Sequence, residues 1–259
     1  MVRLGAMSKR RESPAAPAPV AHAAFRPLYE QIRILLTQSL VAGEWKPGDA
    51  IPSEMELAAR YQVSQGTVRK AIDELASDHI LVRRQGKGTF VASHQEPSYQ
   101  FRFLRVIPDS GEKVTPDSVL VELRRGRAEP GVARALRVRA GSPVHIIKRL
   151  LTFDGRPLIL DEIVLAASQF PGLSVARLEG FHGSIYSFYE SAYQVRMIRA
   201  EERLRAMAAD RFSADLLRVQ AGTPLLCVDR IAFTYGDKPV EWRRGLCVTE
   251  GFSYFNELS

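Results

Sequence analysis

Between residues 28 and 91 the apolar positions change period. Leu28, Ile32, Leu35, Leu36 and Leu40 recur at helical spacing, which predicts an amphipathic helix that Gly43 ends, and Pro47-Gly48 marks a turn. Ser53-Glu54-Met55-Glu56 has the form of a capping box, in which the Ser hydroxyl and the Glu carboxylate satisfy opening amides. The helix it starts is short, because Val63-Ser64 follows Tyr61 closely. Ser64 is placed to cap a third helix, whose apolar face is Val68, Ile72 and Leu75. Ile80-Leu81-Val82 and Thr89-Phe90-Val91 then flank Gln85-Gly86-Lys87-Gly88, the pattern of a hairpin with a basic, glycine-rich tip. Residues 93–99, which open Ser93-His94-Gln95-Glu96-Pro97-Ser98, are polar and read as a linker. Beyond them the pattern becomes strands and hairpins with a few helices.

That second region contains an internal repeat. Residues 136–155, LRVRAGSPVHIIKRLLTFDG, align with residues 217–236, LRVQAGTPLLCVDRIAFTYG, at a constant offset, with eight of twenty positions identical. Each copy runs from a helix end through a Gly-Ser/Thr-Pro turn into a strand with a central Arg, Arg149 or Arg230. A turn at Asp154-Gly155 or Gly236-Asp237 then sends the chain back. A single duplication predicts two related halves about a pseudo-twofold axis, since a solenoid needs about three repeats or more. Pockets often form where such halves meet.

Composition narrows the class. With 259 residues, 46% of them apolar, the chain is long enough for two ordinary domains. Residues 1–24 are rich in Ala and Pro around Lys9-Arg10-Arg11 and read as a disordered basic tail, in which Met7 is as good an opening residue as Met1. The net charge of +7 suits a polyanionic partner, but it is spread as +3 over residues 1–24, +1 over 25–93 and +3 over the rest. Any nucleic-acid footprint must therefore come from local placement. Cys227 and Cys247 sit in apolar runs, which excludes a disulfide scaffold and suggests reduced, buried thiols in cytoplasm. The chain has no signal-peptide pattern, and no apolar run reaches the ~20 residues of a membrane span, so no membrane partner is expected.

Three helices followed by a basic hairpin describe a winged helix-turn-helix over residues 25–92. In that architecture the third helix enters the major groove N-terminus first, where its free amides favour phosphate. Ser64, Gln65 and Thr67 would lie on its first turn and Arg69 and Lys70 on its second, with Gln suited to adenine and Arg to guanine. The tip residues Arg84, Gln85, Gly86 and Lys87 would add backbone and cationic contacts. Singly, each signal is weak: three-helix units are often protein-interaction modules, and a glycine-rich turn is usually only a turn. Their joint order carries the expectation. The same residues resemble the GntR-family winged helix, through Pro27-Leu28-Tyr29-Glu30-Gln31-Ile32, Trp45-Lys46-Pro47-Gly48-Asp49, Ile51-Pro52-Ser53-Glu54, Thr67-Val68-Arg69-Lys70-Ala71 and Gly86-Lys87-Gly88-Thr89-Phe90-Val91. The resemblance implies a homodimer on a short palindromic double-stranded DNA operator. It places Ser53, Glu54, Ser64, Gln65, Thr67, Arg69 and Gly86 at or beside DNA. Met55 and Gln65 stand where the family usually and often has Arg, so its usual operator does not carry over.

Residues 100–259 resemble the UTRA effector domain of the HutC-type branch, which implies a chorismate-lyase-like α+β fold. The match runs through Arg149 with Asp154-Gly155-Arg156-Pro157-Leu158, then Phe170-Pro171-Gly172-Leu173, Gly183-Ser184-Ile185-Tyr186, Ala221-Gly222-Thr223-Pro224 and Pro239-Val240-Glu241. From the residues alone, Arg149 and its repeat mate Arg230 are either pocket cations or salt-bridged strand side chains. Ser184 and Tyr186 are either anion contacts or a helix cap and a core Tyr. Glu241 is a hydroxyl acceptor or a surface charge, and Arg243 with Arg244 a possible carboxylate clamp. The resemblance turns Arg149, Ser184, Tyr186 and Glu241 toward ligand contact, with Asp161 a weaker candidate. Phe101, Phe103 and Arg105 are placed to line the pocket and relay its occupancy. Sugar-phosphate-sensing relatives carry Arg-x-Arg where this chain has Arg149-Leu150-Leu151, so a small carboxylate or amino-acid catabolite suits it better. The expectation is an effector-controlled repressor that needs no cofactor. Two rivals stand beside it. One is an enzyme of the same fold, against which no metal cluster, nucleophile elbow, Walker loop or dinucleotide fingerprint is found. The other is a DNA-binding protein whose effector site has decayed.

Overall fold

The computed structural model describes residues 26–96, 101–112 and 114–257; the tail expected over 1–24 and residues 97–99 of the expected linker lie outside them. Helices α1 (Leu28–Val41), α2 (Glu54–Tyr61) and α3 (Gln65–Ser77) precede a hairpin of β1 (Leu81–Arg84) and β2 (Gly88–Val91). Ile32, Leu36, Leu40, Leu57, Val68, Ile72 and Leu75 close one core. Leu28 and Leu35 belong to the same apolar stripe of α1 but sit on its outer flank, 58% and 40% exposed. The capping box forms in full: Ser53 Oγ accepts from Glu56 N and Glu56 accepts from Ser53 N. Ser64 caps α3 through Thr67 N.

The second region is built on one antiparallel six-stranded sheet in the order β4-β5-β6-β9-β8-β7. Its first half is β4 (Asp117–Arg127), α4 (Pro130–Leu136), β5 (Pro143–Phe153) and β6 (Arg156–Ala166). Its second half is β7 (Arg199–Ala208), α7 (Arg211–Leu217), β8 (Pro224–Thr234) and β9 (Lys238–Cys247). The repeat seen in the sequence is thus a strand-helix-hairpin unit used twice and joined where β6 meets β9. The correspondence extends to detail. Helices α4 and α7 both end on a left-handed Arg, at Arg137 (φ 53°) and Arg218 (φ 55°). Gly141 N donates to Ala128 O as Gly222 N does to Ala209 O, each at 2.8 Å. Between the halves run α5 (Val175–Glu179) and α6 (Ile185–Tyr193), and α6 packs Tyr186, Phe188 and Tyr189 on the sheet. A small pair, β3 (Val106–Pro108) with β10 (Phe252–Tyr254), ties the start of this domain to its end. Among the described residues no helix is long and apolar enough to cross a membrane.

The two regions dock closely. Ile198 enters the winged-helix core, with Tyr235 packed against the same cluster. Ser93 and His94, in the stretch expected as a solvated linker, are buried. Their polar groups are met by α6 in place of water. Ser93 Oγ and His94 N both donate to Glu190, the latter at 3.0 Å, and Ser187 Oγ donates to His94 O at 2.6 Å.

Candidate functional site

On the winged helix the expected DNA-facing residues separate into exposed and engaged groups. Ser53, Ser64, Gln65, Arg69, Lys70, Gln85, Gly86 and Lys87 are exposed, and Thr67 is half-buried behind Ser64. Glu54 faces inward. Its carboxylate accepts from Gln65 Nε2 (3.2 Å), Arg69 Nε (2.9 Å) and Arg83 Nη1 (3.0 Å), so it joins α2 to the first two turns of α3 and to β1. Burial raises its pKa, but Arg69, Arg83 and Gln65 outweigh that and hold the carboxyl below the ordinary range. Arg83 also reaches Asp73 at 2.7 Å and so braces the wing on α3. Arg84 turns from the tip to stack on the Phe90 ring and bond Glu96 at 2.8 Å, while the Lys70 ammonium sits 3.7 Å from the centre of the Tyr29 ring. Gly86 and Gly88 have φ of 70° and 106°, which only glycine adopts without strain, and they make the sharp tip. Met55, 71% exposed, presents an apolar side chain on α2 beside these residues.

The second site is a cleft over the junction of the two halves, and its chemistry follows from strand register. Side chains two residues apart share a sheet face. Arg149, Asp161, Gly245 and Val228 lie directly opposite one another on β5, β6, β9 and β8 and form one row. The next row on that face holds Ile147, Ile163, Arg243 and Arg230, and the row on the other side Leu151, Ile159 and Cys247. The cleft is walled by the first row with Leu151, Ile159, Cys247, Arg243 and Arg230, by Gly183, Ser184, Ile185 and Tyr186 at the start of α6, and by Phe101, Phe103 and Arg105. A further hollow beyond Arg149 and Ser184 is lined by Glu179, Phe181 and His182.

The charges in this cleft are paired on one side and open on the other. Asp161 Oδ2 accepts from Arg149 Nε (3.0 Å) and Nη2 (2.8 Å) and from Arg243 Nη1 (3.1 Å). Burial raises the Asp161 pKa, and Arg243 and Arg149 more than offset it, leaving the carboxyl below its ordinary value. Arg230 Nε donates to Glu202 at 2.6 Å, and its other nitrogens reach Tyr186 Oη and Phe103 O. Among the described residues, Arg149 Nη1 and the Arg105 side chain make no hydrogen bond. Cys247 lies in the wall as a buried thiol whose pKa burial raises, and Cys227 is also buried and free.

The structure brings together Phe101, Arg149, Asp161, Ser184, Tyr186 and Arg243 from the expected ligand set. It does not place Glu241 there. Glu241 is fully buried one row deeper, where its oxygens accept from Tyr186 Oη (2.9 Å), Tyr189 Oη (3.0 Å) and both Arg243 Nε (2.9 Å) and Nη2 (3.0 Å). It fixes the Tyr186 and Arg243 side chains from behind, so its hydroxyl partners are the protein's own. Ser184 caps α6 through Ser187 N, and Tyr186 is also a core ring; each alternative weighed for these residues is realised together with a place on the cleft wall. Residues missed at first are Gly245, Cys247 and Glu202. Arg230 was reachable through its repeat mate, whereas Gly245 needed the β6–β9 register, which no local pattern reveals.

Comparison with known proteins places both regions in known families. The sequence model described as "Bacterial regulatory proteins, gntR family" matches residues 28–91, and that for the UTRA domain matches residues 111–253. The "Probable fructoselysine utilization operon transcriptional repressor" of Escherichia coli K12 is 32% identical over 223 residues, 85% of this chain and 90% of that protein. Among solved structures, a ligand-binding domain assigned to the GntR family from Bordetella bronchiseptica is 43% identical with a TM-score of 0.60, covering 62% of this chain and 99% of its own. PhnF from Mycobacterium smegmatis aligns with a TM-score of 0.52 at 26% identity, over 88% of this chain and 99% of its own. With its winged helix ahead of a UTRA domain, this chain belongs to the GntR family of bacterial regulatory proteins and is a DNA-binding transcription regulator modulated by a ligand.

Proposed function

We propose that the protein is a repressor that binds a palindromic operator as a homodimer and is released by a small anionic metabolite, a carboxylate, held in the cleft between the sheet and the start of α6. The observation that carries this is the arginine arrangement. Arg149, Arg230 and Arg243 converge from three strands, Asp161, Glu202 and Glu241 balance them, and Arg105 with Arg149 Nη1 is left over for a ligand. An excess of positive donors in a largely apolar cleft favours an anion. The cleft is open rather than filled by side chains, which speaks against a decayed sensor. Arg230 and Arg243 supply cations from the second half of the sheet, where the Arg-x-Arg of sugar-phosphate sensors would have supplied them from β5. The E. coli relative is named as a repressor, which supports that sign of regulation.

Thermal denaturation against a library of carboxylates, amino-acid catabolites and sugar phosphates tests the proposal. A ligand at 100 times its dissociation constant adds about 2.7 kcal/mol to stability. The expected hit is a carboxylate that shifts the wild type, leaves Arg149→Ala unshifted and releases the wild type from an operator fragment selected out of random DNA. An Arg149→Ala dimer that binds that operator and responds normally would refute the site. Sedimentation of the DNA-free protein as a monomer at micromolar concentration would refute the dimer.

A further inference from the structure

Within the cleft one carboxylate oxygen of a nearly buried side chain is left without a protein donor and is open to the cleft. The Asp161 side chain is only 4% exposed, and all three of its hydrogen bonds fall on Oδ2. Among the described residues Oδ1 accepts none. It lies beside Gly245, the residue directly opposite on β9, so closely that a Cβ built there would stand 3.1 Å from it. That Cβ would also meet Ile159 and Cys247 at 3.6 and 3.9 Å, so glycine keeps open a small recess with a single acceptor in its wall. Asp161 and Gly245 both line the cleft, and Arg149, bonded to Oδ2, carries the unused Nη1. An acceptor open to the cleft is met by water until a ligand displaces it, and a ligand that cannot donate a hydrogen bond in its place leaves the carboxylate oxygen desolvated and unpaired.

We infer that the effector is an anion carrying a hydrogen-bond donor, a hydroxyl or an ammonium, next to its anionic group, and that Asp161 Oδ1 reads this donor in the recess left by Gly245. The inference rests on the cleft being the effector site. An anion without the donor would meet the arginines but leave Oδ1 unpaired. A site built around such a bond discriminates strongly against the analogue that lacks it. Gly245 sets the size of the recess, so it determines specificity without itself bonding the ligand.

The test is calorimetric titration of the full-length protein with matched sets: succinate, malate and aspartate; propionate, lactate and alanine; propyl phosphate and glycerol 3-phosphate. The expected result is that the donor-bearing members bind at least ~10-fold more tightly than succinate, propionate or propyl phosphate. Malate against aspartate, and lactate against alanine, then decide between hydroxyl and ammonium. Gly245→Ala, whose Cβ crowds Oδ1, should erase the preference, so that donor-bearing and donor-free acids bind with equal affinity. Asp161→Asn should reverse it, because its amide oxygen must take the arginine donors and its NH2 then faces the recess. If Asp161→Asn does not fold, Gly245→Ala alone decides. Equal binding of donor-bearing and donor-free acids, lost together in Arg149→Ala, would overturn the inference and leave the anionic cleft standing. Binding by no member at millimolar concentration would overturn both.

Discussion

Single residues in this fold carry large local energies because several charges lie where water does not reach. Glu241 is the extreme: wholly buried, with two phenols and a bidentate guanidinium on its carboxylate. Removing one partner of such a cluster costs more than the pair contributes, since the other is left charged and dry. Glu241→Ala should therefore lose about 3–5 kcal/mol, read as a drop of roughly 2–4 °C in Tm for each kcal/mol. Loss of effector binding should follow only through the disordered Tyr186 and Arg243 side chains. A variant of unchanged Tm would remove Glu241 from its bracing role. Titration of His145 gives a second residue-scale expectation. It is 3% exposed, its Nε2 donates to Phe170 O at 3.0 Å, and burial lowers its pKa below the ordinary 6.5 despite that bond. A lowered folded pKa means that protonation favours the unfolded chain. Its contribution is complete above about pH 6.5 and is lost as the pH falls through the folded value. Denaturant midpoints should decline between pH 7.5 and 5.5, and less steeply in His145→Gln, which keeps a donor at the same place. Equal slopes in the two proteins would exclude His145 as the cause.

At the level of elements, Glu54 shows how a carboxylate fits among the side chains expected to face DNA. It holds Gln65 and Arg69 on α3 and Arg83 on β1, so the helix and the wing share one frame. Glu54→Ala releases two guanidinium groups toward phosphate and frees the candidate base-reading side chains from their common anchor. Binding to random DNA should tighten at low salt and fall more steeply with added salt, while the ratio of operator to random affinity drops. Unchanged salt dependence and specificity in a filter-binding titration would assign Glu54 a purely structural part. What could be read beforehand at this scale was whatever is local. The capping box at Ser53, the cap at Ser64, the glycine tip of the wing and the two copies of the strand-helix-hairpin each depend on residues close together in the chain. What could not be read depends on distant partners. Arg84 carries the charge of a wing contact, but its orientation is set by Phe90 and Glu96. Ser93 and His94 have the polarity of a linker and are buried because Glu190 and Ser187 wait for them. Glu241 follows its hairpin as expected, and only the strand register shows that it lies one row too deep for the cleft.

The whole molecule is coupled through α6, whose two ends serve different partners. Its first residues wall the cleft, and its Glu190, about 8 Å further along at 1.5 Å per residue, holds the chain leaving the wing. Just beyond the helix, Arg196 is 1% exposed and donates to His79 O at 2.7 Å and Ile80 O at 3.1 Å, the carbonyls that follow α3. Its Nε makes no hydrogen bond among the described residues and lies 3.8 Å from Glu190 Oε2. His94 adds a third tie: its Nε2 donates to Met197 O at 2.9 Å, and its ring lies 5.7 Å from that of Tyr186 in the cleft wall. A ligand that displaces the start of α6 must therefore move Glu190 and Arg196, and with them the base of α3, or break these bonds. Either way the ligand shifts the molecule only as far as its affinities for the two arrangements differ. Arg196→Ala should leave Glu190 buried without its cation and remove the guanidinium bonds to His79 O and Ile80 O, so that the winged helix melts apart from the UTRA domain. Calorimetry should then resolve two transitions where the wild type shows one, and bound effector should raise only the UTRA transition. Operator binding should persist with lower affinity and become insensitive to the effector, because the ligand-bound domain no longer grips α3. A single cooperative transition with intact effector response in this variant would mean that the signal travels by another route, leaving the His94 tie as the next contact to cut.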